Sequence, residues 1–144
     1  MKKQRGQAVV EFALVLPIFL ALVFSIIVCG MLFADYMTLS NVARSSAREA
    51  ALQGSEKYAD IRTNYRSSTK LLSNLYTWPD DDTNFDIAAG ELDDSVQVTI
   101  TTTLNPNFPG VSVVKNGYFN SSFPPDTYMI KYSMHDEATN ASGN

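Results

Sequence analysis

Few side chains in this chain of 144 residues are placed to do chemistry, and the first is Glu11. It stands at the edge of an apolar stretch that begins at Ala8, four residues after Gln7, which follows the basic segment Lys2-Lys3-Gln4-Arg5-Gly6. A simple membrane anchor gains nothing from a carboxylate there, so Glu11 calls for a reason. A second pattern lies in the acidic segment 80–91. Asp80, Asp82, Asn84 and Asp86 occupy positions 1, 3, 5 and 7 of a twelve-residue frame that ends on Glu91, the ligand spacing of an EF-hand calcium loop. Phe85 stands where the sharp turn of such a loop needs glycine, so a solvated acidic loop is the expectation and no metal or other cofactor is assigned. The single histidine, His135, has no nucleophile motif to work with. The single cysteine, Cys29, lies within the apolar run and reads as a small buried residue. No phosphate-cradling loop or zinc spacing occurs, and the chain reads as a non-enzyme.

The element that must position Glu11 is the apolar run itself. Residues 12–34 carry no charge. As a helix rising ~1.5 Å per residue they span ~35 Å, enough to cross a bilayer core of ~30 Å. Pro17 removes one backbone hydrogen bond inside this run and predicts a kink or unwinding near residues 13–17. An ordinary secretory signal has a shorter apolar region followed by a small-x-small cleavage site, and neither is found. A plain uncleaved anchor fits the length and charge equally well; only the spacing from Gly6 to Glu11 separates it from a processed one. Lys2, Lys3 and Arg5 precede the run without an acid, whereas residues 35–144 hold 8 basic against 14 acidic residues. The positive flank is expected to stay cytoplasmic and the acidic remainder to be exported. An acidic domain also argues against nucleic-acid binding.

This arrangement resembles the signal of type IV pilin-like proteins, in which a basic leader ends in glycine and the fifth residue of the mature chain is glutamate. The stretch E-F-A-L-V-L-P, with Pro17 six residues after Glu11, and the continuation A-D-Y-M-T-L-S-N-V-A-R resemble more closely the TadE-type pseudopilins of tight-adherence (Flp) pilus systems. The resemblance covers roughly residues 5–53. It implies cleavage by a prepilin peptidase between Gly6 and Gln7, a new amine at Gln7 paired by Glu11, and assembly with other pilin subunits on a pilus platform in the bacterial cytoplasmic membrane. Phe12 stands where Flp major pilins often carry tyrosine.

Beyond residue 34 the helix is expected to continue unbroken to Gln53. Tyr36, Leu39, Ala43, Ala47 and Ala50 form one stripe, and Ala43, Ala47 and Ala51 a row of small residues. Gly54 marks a stop and Ser55 a cap for a second helix over 55–75, with Lys57, Arg62, Arg66 and Lys70 on a solvated basic face. From residue 95 the period changes to two. Val96, Val98, Ile100, Thr102 and Leu104 share one strand face, as do Tyr128, Ile130, Tyr132 and Met134 in a last strand. A short strand over 111–114 and a turn at Asn116-Gly117 are expected between them. Residues 136–144 read as a disordered tail.

The predicted architecture is α+β: leader 1–6, transmembrane and assembly helix 7–34, exported domain 35–135 with a second helix and a short antiparallel sheet, and tail 136–144. The implied function is that of a structural minor pilin or pseudopilin. The alternative is a single-pass anchored binding module that does not polymerise.

Overall fold

A computed structural model of the chain describes residues 2–79, 81, 83–90, 94–109, 111, 115 and 125–137, with side chains from residue 7 onward. One helix, α1, runs over Lys2–Gln53, 52 residues or ~78 Å. Helical backbone continues through Pro17, so the unwinding expected near residues 13–17 is not seen. The ring leaves the Ala13 carbonyl without its usual donor, and the flanking turns hold the geometry. The helix ends as the sequence predicts. Gly54 takes φ 80, a left-handed value open to glycine, and its N–H reaches the Ala50 carbonyl at 3.0 Å. Ser55 does not act as a side-chain cap: a short 3-10 turn, Ser55–Lys57, carries the chain into α2, Tyr58–Ser68.

The second helix is shorter than the 55–75 expected. It stops at Ser68, where the hydroxyls of Ser67 and Ser68 bond back to the carbonyls of Asn64 and Tyr65. Residues 69–75 then form a loop leading to strand β1, Tyr76–Thr77. Part of the acidic segment is also strand. Phe85–Ala89 forms β2, because Phe85 and Ile87 alternate around Asp86 and bury against the core. Strands β3, Ser95–Leu104, and β4, Thr127–His135, keep the faces read from the sequence. Val111 and Lys115 have helical backbone; residues 112–114, the Asn116-Gly117 turn and tail residues 138–144 lie outside the described residues. The N–H of Asp136, the first tail residue, donates to the Asp94 carbonyl at 2.6 Å.

Among the described residues the sheet is four-stranded and antiparallel throughout. β3 is central, with β4 along one side (Ile100 opposite Ile130) and β1 and β2 end to end along the other (Tyr76 opposite Leu104, Phe85 opposite Ile100). The C-terminal half of α1 lies across one sheet face. Leu39, Ala43, Ala47 and Ala50 are wholly buried there, opposite Val96, Val98 and Ile100, also wholly buried. The alanines let the helix axis approach the strands closely, and α2 adds Ile61 at the side. A second cluster lies at the foot of the domain, where Leu75, Tyr76 and Val111 pack with Leu104, Phe108 and Tyr128. Tyr76 and Tyr128 meet edge to face, 4.7 Å between ring centres.

This packing generates two predictions. Ala47→Leu has no space to enter and is expected to lower unfolding stability by about 1–3 kcal/mol, whereas Leu72→Ala, at a side chain 77% exposed, leaves the denaturation midpoint of the membrane-reconstituted chain nearly unchanged. Burial, then the neighbouring Tyr128 and Asp126, push the Tyr76 phenol up to about 12. The unfolded chain therefore loses this proton first, and stability falls as pH rises from 10 to 12. Tyr76→Phe should flatten part of that fall in midpoint-against-pH curves.

Candidate assembly helix and its anchorage

The candidate site is a surface rather than a pocket. Glu11 is exposed, and its Oε1 accepts a 3.3 Å bond from the Gln7 side-chain amide one turn back. The backbone of Gly6 and Gln7 is helical, so Gly6, Gln7, Glu11 and Phe12 lie on two successive turns. The helix that carries them is bare. Phe12, Leu14, Ile18 and Phe24 are each more than 60% exposed, and no part of its most apolar window is buried. Two of its hydroxyls are satisfied inside the helix: Ser25 donates to the Ala21 carbonyl at 2.8 Å and Thr38 to that of Ala34 at 2.9 Å. Hydroxyls used this way present little polarity to an apolar solvent. By length and composition this is one helix able to cross a membrane. Cys29 is exposed on it, against the buried position expected.

The anchorage of this helix to the domain rests on Asp35, which the sequence reading did not single out. Asp35 is wholly buried. Its Oδ1 accepts the N–H groups of Leu72 at 2.8 Å and Ser73 at 3.1 Å, and the Ser73 hydroxyl donates to Oδ2. A legible signal existed: an acid directly after 23 uncharged residues, with Met31 and Leu39 rather than cations one turn away, must find its donors elsewhere in the fold. Trp78 was also missed. It is buried, its ring packs against Phe85, and its Nε1 donates to the Asn84 carbonyl at 3.2 Å. Arg66 stacks on it at 4.3 Å and donates to its carbonyl, so Arg66 is not part of a solvated basic face.

The calcium pattern is not brought together among the described residues. Asp80, Asp82 and Glu91 lie outside them. Asn84 commits its side-chain amide to Asp81 at 2.6 Å, and Asp86 projects from the exposed face of β2. Asp81 closes the turn before β2, also accepting the Asn84 N–H and the Thr83 hydroxyl; the latter bond above all holds its carboxyl below the usual range. Five residues of the frame are committed to the ladder with β3, which stretches the segment rather than wrapping it round an ion. His135 pairs across from Ser95 at the end of β4.

Asp35→Ala would leave the buried Ser73 N–H and hydroxyl and the part-buried Leu72 N–H without their acceptor, at a cost of about 3 kcal/mol; Asp35→Asn keeps an oxygen for the amides and should cost less. Hydrogen exchange at the Leu72 and Ser73 amides checks this, with the faster exchange expected in the alanine variant.

The comparisons with known proteins bear on the same stretch. No curated protein and no solved structure matches the chain. A family model described as TadE-like protein matches residues 6–48, from the glycine before Gln7 to the alanine face of the C-terminal half of α1. Over that segment, with its bare apolar helix and Glu11 at the edge, the chain is similar to TadE-like proteins.

Proposed function

We propose that the chain is a structural minor pilin or pseudopilin of a Tad-type pilus and not an enzyme. The observation that carries this reading is the bare apolar surface of α1 with Glu11 at its edge, continuous with a folded domain. Such a surface requires an apolar solvent, first lipid and then the helices of other subunits. A prepilin peptidase removes residues 1–6, with the N-terminus cytoplasmic and the domain outside. The new α-ammonium of Gln7 then needs a carboxylate partner, and Glu11, in its own chain or a neighbour, supplies one. The Gln7 side chain already lies within reach of Glu11, which supports the geometry of an intrachain pair. An unpaired charge costs several kcal/mol once water is excluded, so the pair selects one register of packing.

The test separates storage from assembly. Glu11→Ala and Glu11→Gln should leave membrane insertion and the mature N-terminus at Gln7 nearly unchanged, read by mass spectrometry of the membrane fraction, yet sharply reduce the protein in sheared pili. Leu14→Val should alter neither pool. Wild-type recovery of Glu11→Ala in the sheared fraction removes the assembly role, and an intact Met1 in cells that carry the peptidase removes the processing step.

A further inference from the structure

The foot of the domain reaches down the side of α1 below Asp35, along the uncharged run. Its cluster packs against Val28 and Leu32, whereas the domain's polar anchor, Asp35, lies seven residues, or ~10 Å, further up the helix than Val28. A bilayer core of ~30 Å takes ~20 residues. Counted from Phe12, just inside Glu11, it ends at Met31; counted to the end of the uncharged run, it ends at Ala34. Either boundary puts Val28 inside the hydrocarbon and Leu32 at its edge, and a tilted helix needs more residues to cross, which moves both deeper. Whatever packs against them shares that depth.

The residues that do so suit it. The segments 71–79 and 104–109 contain no charged residue. The polar groups of Asn105 are used internally: its N–H donates to the Leu75 carbonyl at 2.9 Å, its side-chain amide to the Asn74 carbonyl at 2.9 Å, and its side-chain oxygen accepts the Asn107 N–H at 3.0 Å. The Phe108 N–H closes on the Asn105 carbonyl, and the Tyr76 hydroxyl donates to that of Pro125. Both acids at this level are satisfied, Asp35 by Leu72 and Ser73 and Asp126 by Lys115. Tyr36, Tyr76 and Tyr128 stand in one chain of ring contacts beside an apolar recess of about 290 Å³ that Leu32, Pro125 and Met129 complete. Tyr36 and Tyr128, partly exposed at one level above a span, fit the pattern of a membrane–water interface, with Tyr76 buried behind them.

We infer that the foot of the domain, the 104–109 loop with Tyr36, Tyr128 and Met129, is a docking surface for the phospholipid bilayer that α1 crosses, seated among its outer-leaflet headgroups and upper acyl chains. The inference rests on the reading of α1 as a span. The docked foot fixes the tilt and height of the domain over the membrane before any partner arrives.

The test uses the full chain in phosphatidylethanolamine–phosphatidylglycerol vesicles at high lipid excess. A polarity-sensitive fluorophore is placed on native Cys29, or, in a Cys29→Ser background, on Asn107→Cys, Met129→Cys or Ser133→Cys, all at exposed positions. Lipids with a nitroxide high on the acyl chain supply the quencher. Labels at 29, 107 and 129 should be quenched several-fold more than the label at 133, four residues and ~13 Å further along β4 than 129. Quenching at 29 with 107 and 129 as accessible as 133 overturns the docking and leaves the span intact. No quenching at 29 overturns the span and the docking with it. Shielding at 107 and 129 that appears only as protein is concentrated in the vesicles assigns the surface to a second copy and also overturns it.

Discussion

A buried acid at the mouth of a membrane helix has to be satisfied within a few ångströms, and the way Asp35 is satisfied arranges the rest of the domain. By drawing in the Leu72 and Ser73 amides it brings the 69–75 loop down against α1. That loop ends α2 early and delivers Tyr76 and Thr77 to the end of β3, where they add a short strand opposite Leu104 and Thr103. The same descent sets Leu75 and Tyr76 beside Leu32 and Val28. Hydrogen-bond donors rather than a cation complete the carboxyl group, so the junction between helix and domain requires no further charge.

Above the junction, attachment depends on close approach. Ala43, Ala47 and Ala50 present little more than backbone, and Val96, Val98 and Ile100 fill the space they leave. Small residues on one side and branched residues on the other give a dense contact with little rotamer entropy to lose. The domain is held to the helix by this contact and by Asp35 together. Under the proposed function, a subunit drawn out of lipid by its helix would carry the domain with it, because the two share a core.

The acidic segment illustrates how competing uses of the same residues are decided. Its ligand-like spacing is real in sequence, but alternation serves strands as well as ions. Phe85 and Ile87 are buried in the core, Phe85 against the Trp78 ring, and that burial favours the strand reading of this part of the segment. Asp81, which falls between the ligand positions of the frame, closes the turn and directs the chain into β2.

The sequence by itself determined what is local and periodic. Charge-free length made the span legible, the 3.6-residue stripe and Gly54 the extent of α1, and strict alternation the faces of β3 and β4. Glu11, Gly6 and Pro17 carried the TadE-like likeness, because that signal is linear. Tertiary structure decided the rest. Leu71, Leu72 and Leu75 suit a helix as well as a loop, and only the donors demanded by Asp35, 37 residues away, settled the matter. Phe85 and Ile87 became strand because β3 offered an edge. Arg66 left the solvent because the ring and carbonyl of Trp78, twelve residues on, fold back beneath it. Each of these outcomes turns on a partner distant in the chain, and a periodicity read within one segment carries no information about such a partner.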